Sequence, residues 1–209
     1  MSPAFSDTLD LLSSPAQREV LRNCRHGIEK ESLRTTPGGA LVQTPHPSAL
    51  GSALTHGSIT TDYSEALIEL ITPVNTSLGG LFDSLGMTHR FVYAQLVDEL
   101  LWTESMPCKL PADSDIPIAW YGTSNVGMLK NVYRRGLAIR YGKAMQCIAG
   151  IHYNFSLPPQ LWTILQQQVG DLRSAQDYQS DRYMAMIRNF RRYAWLLMYL
   201  FGASPAVCA

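Results

Sequence analysis

Glu29, Glu31, Asp62, Glu69 and His152 are the side chains whose types and spacing could do chemistry. Glu29 and Glu31 stand in the octet Gly27-Ile28-Glu29-Lys30-Glu31-Ser32-Leu33-Arg34. If that stretch is extended, alternate side chains share a face, and the two carboxylates sit side by side. Carboxylates that close raise each other's pKa unless a cation lies between them. Oxygen-rich sets suit hard cations such as magnesium, which keeps waters and bridges to phosphates; zinc would want more Cys and His. The octet alone also reads as a surface strand with ordinary charges. Gly-x-x-x-x-Gly-Lys-Ser/Thr, Gly-x-Gly-x-x-Gly and Gly-x-Ser-x-Gly are all absent, so a P-loop, a dinucleotide fold and an α/β-hydrolase have no support. A glycosidase built on Glu29, Glu31 and Glu69 is the remaining metal-free use of these acids.

The elements that must position these groups follow from periodicity. Residues 8–23 predict one amphipathic helix, an N-terminal flank, and 24–34 the acidic strand. Thr36-Pro37-Gly38-Gly39 marks a turn, after which 40–42 can return as a short strand. Residues 59–71 read as extended, with Ala66, Ile68 and Leu70 on one face and Glu65, Leu67, Glu69 and Ile71 on the other. A glutamate inside so apolar a strand is informative, because buried Glu is nearly always paired. Asn75 or Thr76 caps a long helix whose apolar spacing runs to Leu100. Residues 103–124 are irregular, a length that usually serves function or covers something. Gly122-Thr123-Ser124-Asn125 opens a locally basic helix reaching about Tyr141. Residues 145–157 predict a strand with Ala149, Ile151, Tyr153, Phe155 and Leu157 toward the core, and Gly150, His152, Asn154 and Ser156 lining a cavity. A short helix over 161–168 and a last one over 181–201 follow, with Gly202 as cap and Pro205 beyond.

The 209 residues are 46% hydrophobic, enough for one substantial core. Charged residues make up only 16%, which suggests surface covered by a partner or by further chain. Seventeen basic and seventeen acidic side chains cancel, so net charge points to neither nucleic acid nor an anionic membrane. Cys24, Cys108, Cys147 and Cys208 form no CxxC pair and read as reduced, cytoplasmic thiols. The uncharged run 193–209 is interrupted by Gly202 and Pro205 and is short for a span of about 20 residues.

Taken together, the ordered segments resemble the bacterial type of glutamate–cysteine ligase. They include the octet itself, Leu50-Gly51-Ser52-Ala53-Leu54-Thr55-His56, Ile59-Thr60-Thr61-Asp62-Tyr63-Ser64-Glu65, Ile68-Glu69-Leu70-Ile71-Thr72-Pro73, Ser105-Met106-Pro107-Cys108, Tyr121-Gly122-Thr123-Ser124-Asn125, Tyr133-Arg134-Arg135-Gly136-Leu137, Gly150-Ile151-His152-Tyr153-Asn154-Phe155-Ser156, and Tyr199-Leu200-Phe201-Gly202-Ala203-Ser204-Pro205. The resemblance implies an α+β fold, a curved and mostly antiparallel sheet with covering helices, similar to glutamine synthetase. It implies ATP-dependent coupling of the L-glutamate γ-carboxylate to the L-cysteine amine through a γ-glutamyl phosphate, the first step of glutathione synthesis. Glu29, Glu31, Asp62, Glu69 and His152 then match the magnesium set, with manganese as a substitute. Tyr63, Tyr133 and Arg134 match the cysteine pocket, and Cys147 and Ile148 match positions near the glutamate. No nucleic acid or membrane is implied as a partner. Members of the family run on past Pro205-Ala206-Val207-Cys208-Ala209, so residues 1–209 are expected to be the N-terminal part of one catalytic domain, with 1–21 as its flank. An inactive fragment is the alternative to a working ligase.

Overall fold

Arg25–Thr35 form β1, the strand on which the others assemble in a computed structural model that describes residues 3–202. β2 (Ile59–Thr61), β3 (Leu67–Ile71), β4 (Leu100–Leu101) and β5 (Ile151–Ser156) complete an antiparallel sheet of order β2-β3-β1-β4, with β5 also paired to β1. β3 takes one edge of β1, matching Glu31 to Glu69 and Leu33 to Leu67. The other edge is shared: β5 pairs Glu29 with His152 and Gly27 with Asn154, while β4 pairs Arg34 with Leu101. The expected α+β class with an antiparallel sheet and covering helices is what the chain adopts.

Alternation gives each sheet face its own core. On one face Ile59, Ile68 and Leu70 pack with Leu50, Leu101 and Val92 of α3 (Leu78–Gln95). On the other, Leu33 and Leu67 pack with Leu41, Val42, Ala66, Cys108, Ile116, Cys147 and Ala149. Fully burying one such aliphatic side chain stabilises by about 1.5–3 kcal/mol, so the two clusters fix which way β1 faces. Arg34 is fully buried at the end of β1. Its guanidinium meets Glu99 at 2.7 Å and donates to Thr44 Oγ1 and to the carbonyls of Thr44, Pro45 and Glu65.

Residues 24–156 form one compact unit, and residues 3–23 with 157–202 form a second. The second contains α1 (Pro3–Ser13), α2 (Pro15–Leu21), α5 (Pro159–Val169) and α6 (Ala175–Phe201). Within it Trp162 packs on Tyr183 at 4.7 Å between ring centroids, and the Tyr183 hydroxyl accepts from Leu157 N at 3.1 Å. Among the described residues no helix is long and apolar enough to cross a membrane.

Several expected boundaries are corrected. The helix over 8–23 is two helices. Ser14 ends α1 and its hydroxyl caps α2 at Gln17 N, while Pro15 supplies a first-turn residue that needs no hydrogen bond. The extended run 59–71 is a hairpin, because residues 62–66 turn, with Leu67 N bonding Ser64 O. The long helix is capped by Ser77 and stops at Gln95; Asp98 takes φ 55° and Leu100 pairs in β4. Residues 40–42 make isolated bridges rather than a strand. Residues 144–147 are a 3-10 turn, so β5 starts only at Ile151, and α6 begins at Ala175 instead of 181. The expected core face of β5 is open: Ile151, Tyr153 and Phe155 are 64%, 53% and 44% exposed. Pro205 and Cys208 lie outside the described residues.

Candidate metal and nucleotide site

The register of β1 gathers the acids. Glu29 and Glu31 share a face, Glu69 stands directly across from Glu31, and His152 directly across from Glu29. Asp62 follows β2 by one residue, where its N–H still bonds Leu67 O at 3.0 Å. His152 Nδ1 lies 3.4 Å from Glu29 Oε2, and Nε2 lies 4.0 Å from Glu31 Oε1. Asn154, the next residue on that face of β5, donates from Nδ2 to Glu29 Oε1 at 2.7 Å. Gly150 N donates to Glu31 Oε2 at 2.6 Å.

The electrostatics are those of an acid cluster short of positive charge. Burial, followed by the negative charges of Asp62, Glu31 and Glu29, pushes Glu69 up to about 7. Burial also raises Glu31, partly offset by the Gly150 N–H. Lys30, between the two glutamates in sequence, points to the opposite face, where it bonds Ser32 Oγ and supplies no counter-charge. Among the described residues, no three His, Cys, Asp or Glu side chains yet converge closely enough to hold an ion. The donor types fit a hard cation, and the raised Glu69 marks charge that such an ion would relieve.

A recess of about 370 Å³ opens beside Glu29, with Arg25, His26, Thr72, Asn154 and Phe155 among its walls. His26 Nδ1 and the Tyr153 hydroxyl are 2.5 Å apart, on the other face of the same two strands.

The residues expected to contact amino acids divide. Tyr63 is buried, its hydroxyl has no partner, and burial pushes its pKa up to about 12. Arg134 of α4 (Asn125–Tyr141) donates to Asp62 O and Lys130 O and stacks 4.8 Å over Tyr121. The hydroxyl of Tyr121 in turn donates to Thr61 O at 2.6 Å. Arg134 thus ties α4 to the turn that carries Asp62 and Tyr63. After burial, the charges of Asp113 and Cys147 raise Tyr63 further and that of Arg134 opposes them. Cys147 has no exposed surface, whereas Tyr133 and Ile148 are 64% and 40% exposed.

Glu65, expected on the face of Glu69, is drawn away by the turn and staples two loops through His46 N and Trp120 N. Gly150 and Asn154, expected to line a cavity with His152, do so by holding Glu31 and Glu29. Tyr121 under Arg134 is the contact that spacing does not single out.

An antiparallel sheet with acids on one face and a helix on the other defines an α+β carboxylate-lined domain. The comparisons narrow the class. A family model described as glutamate–cysteine ligase matches residues 9–209, and the chain belongs to that family. It is 62% identical over 210 residues to the glutamate–cysteine ligase of Azotobacter vinelandii, covering 99% of this chain and 40% of that protein. With the Pseudomonas putida (strain W619) protein of the same name it shares 61% over 207 residues, covering 99% and 39%. The Francisella tularensis glutamate–cysteine ligase, solved in complex with AMP, superposes with TM-score 0.81 at 43% identity, over 88% of this chain and 36% of that one. A bifunctional glutathione synthetase from Pasteurella multocida gives 0.82 at 40% identity, over 90% and 24%. The chain therefore spans about 40% of the length of the curated relatives it matches.

Proposed function

We propose that this chain supplies the acid-lined sheet face for ATP- and magnesium-dependent joining of the L-glutamate γ-carboxylate to the L-cysteine amine through a γ-glutamyl phosphate. The observation that carries the reading is the direct opposition of Glu31 and Glu69, with Glu29 and His152 paired beside them on the same face. The family and the AMP complex of the Francisella relative support it. Glu29, Glu31, Asp62, Glu69 and His152 would hold magnesium, or manganese in its place. When bound, the ion shields the triphosphate so that an anionic carboxylate can approach it.

The chain's own groups orient and neutralise rather than attack. Asn154 and Gly150 fix the rotamers of Glu29 and Glu31 through the hydrogen bonds described above. Arg134 sets the Asp62 turn, and Tyr63, whose buried hydroxyl has no partner, would border the cysteine pocket. Tyr133, Ile148 and the backbone at Cys147 would border the amino acids. The thiols at Cys24, Cys108 and Cys147 are free, in keeping with a cytoplasmic setting.

A second reading is favoured by the 40% coverage of relatives: a non-catalytic piece of the ligase. Manganese titration followed by electron paramagnetic resonance, alongside phosphate release with ATP, glutamate and cysteine, separates the two. Binding with turnover supports the ligase, and binding without turnover the piece. No binding, or binding unchanged in Glu31→Gln/Glu69→Gln, would overturn the site itself.

A further inference from the structure

Two buried thiols lie outside the acid cluster, and the proposed function uses the backbone at Cys147 but neither sulfur. Cys108 and Cys147 are 8% and 0% exposed and belong to one core cluster with Ile116 and Ala149. Their segments are docked side by side. Ala149 N donates to Ser105 O at 2.9 Å, and the N–H groups of Lys143 and Ala144 both donate to Asp113 Oδ1 at 2.8 Å. Lys143 Nζ reaches Ser114 O and Ile116 O at 2.7 and 3.0 Å. The 105–116 loop is thus held against 143–149 on both sides of the cysteines. Burial, then the charge of Cys108, pushes Cys147 up to about 12, and burial raises Cys108 as well.

We infer that Cys108 and Cys147 form a reversible dithiol–disulfide pair that locks the 105–116 loop onto the turn leading into β5. The co-reactant is a peroxide. The Cys108 sulfur, on the loop and the less buried of the two, attacks the O–O bond; it becomes a sulfenic acid and one water leaves. The Cys147 sulfur attacks the sulfenic sulfur, the S–S bond forms, and hydroxide departs with the Cys147 proton as a second water. Two thiols lose two electrons and two protons, and one hydrogen peroxide becomes two waters. Raised thiol pKa values make the step slow while the loop is docked, so the pair stays reduced until oxidant persists. The inference is independent of the ligase reading.

Hydrogen peroxide treatment of the intact chain, quenching with N-ethylmaleimide and tryptic digestion without reductant test it. The expected product joins peptide Phe91–Lys109 to peptide Ala144–Arg173, lighter than their sum by two hydrogens and separated by dithiothreitol. Cys24 in the same sample is recovered alkylated. The linked chain melts higher by roughly 3–8 °C, reversed on reduction, and Cys108→Ser abolishes both the link and the shift. Recovery of both cysteines unlinked, over-oxidation of Cys108 alone, or a link to Cys24 or Cys208 would overturn the pairing. A link without a higher melting temperature would overturn the lock.

Discussion

Glu69 carries the sharpest pH consequence. Its folded pKa, about 7, lies above the ordinary carboxylate value, so the folded chain holds that proton more tightly than the unfolded one. Stability from this group is present below about pH 4.5 and is lost as pH rises toward 7. The loss is about 1 kcal/mol once discounted for the solvent this half-buried side chain still meets. Without divalent cations the melting temperature should fall between pH 5 and 8. Glu69→Gln should flatten that fall, and magnesium at pH 8 should restore the wild-type value, all readable by thermal circular dichroism. Arg34 predicts the opposite kind of effect, with no site chemistry involved. Arg34→Met strands Glu99 in a nearly closed setting and should cost about 3–5 kcal/mol in urea unfolding. Arg34→Met/Glu99→Leu should recover a large part, because both charges leave together.

At the scale of elements, α4 is seated by a close approach that only glycine permits. A Cβ at Gly127 would meet Tyr121 O at 2.5 Å and Gly122 O at 2.9 Å. Gly127→Ala should push α4 off the Tyr121 backbone, cost about 1–3 kcal/mol by chemical denaturation, and weaken the stacking of Arg134 on Tyr121. Removing the α4 cap with Ser124→Ala should cost about 1 kcal/mol and leave that stacking in place. Amide exchange at residues 61–63 would resolve the two variants. Local pattern made the face of Glu29 and Glu31 legible, since alternation depends on neighbours alone. The opposition of Glu31 to Glu69 was not, because it depends on which distant strand β1 accepts and in what register. Leu96 and Leu100 kept helical spacing, yet the chain leaves the helix at Leu96 and turns through Asp98, since Leu100 and Leu101 are needed beside β1. Alternation likewise misplaced Glu65, because a tight turn resets the count.

Across the whole molecule, the apolar surface left open is large. Ile151, Tyr153 and Phe155 of β5, Val126, Leu129 and Val132 of α4, and Phe190, Tyr193 and Leu197 of α6 are all exposed. Such faces should bind 8-anilinonaphthalene-1-sulfonate and drive concentration-dependent association. Tyr153→Thr/Phe155→Thr should reduce the association, measured by sedimentation velocity, while leaving the unfolding midpoint within about 1 kcal/mol of the wild-type free energy. Sequence order imposes a delay on the acidic face as well. Glu29 and the Asn154 that steadies it are 125 positions apart. At about 5–20 residues per second of synthesis, a ribosome completes the second roughly 6–25 s after the first. Throughout that interval β1 is an unfinished edge, with its carboxylates bare and one flank lacking a mate, and during that time the nascent chain most needs shelter from neighbouring polypeptides.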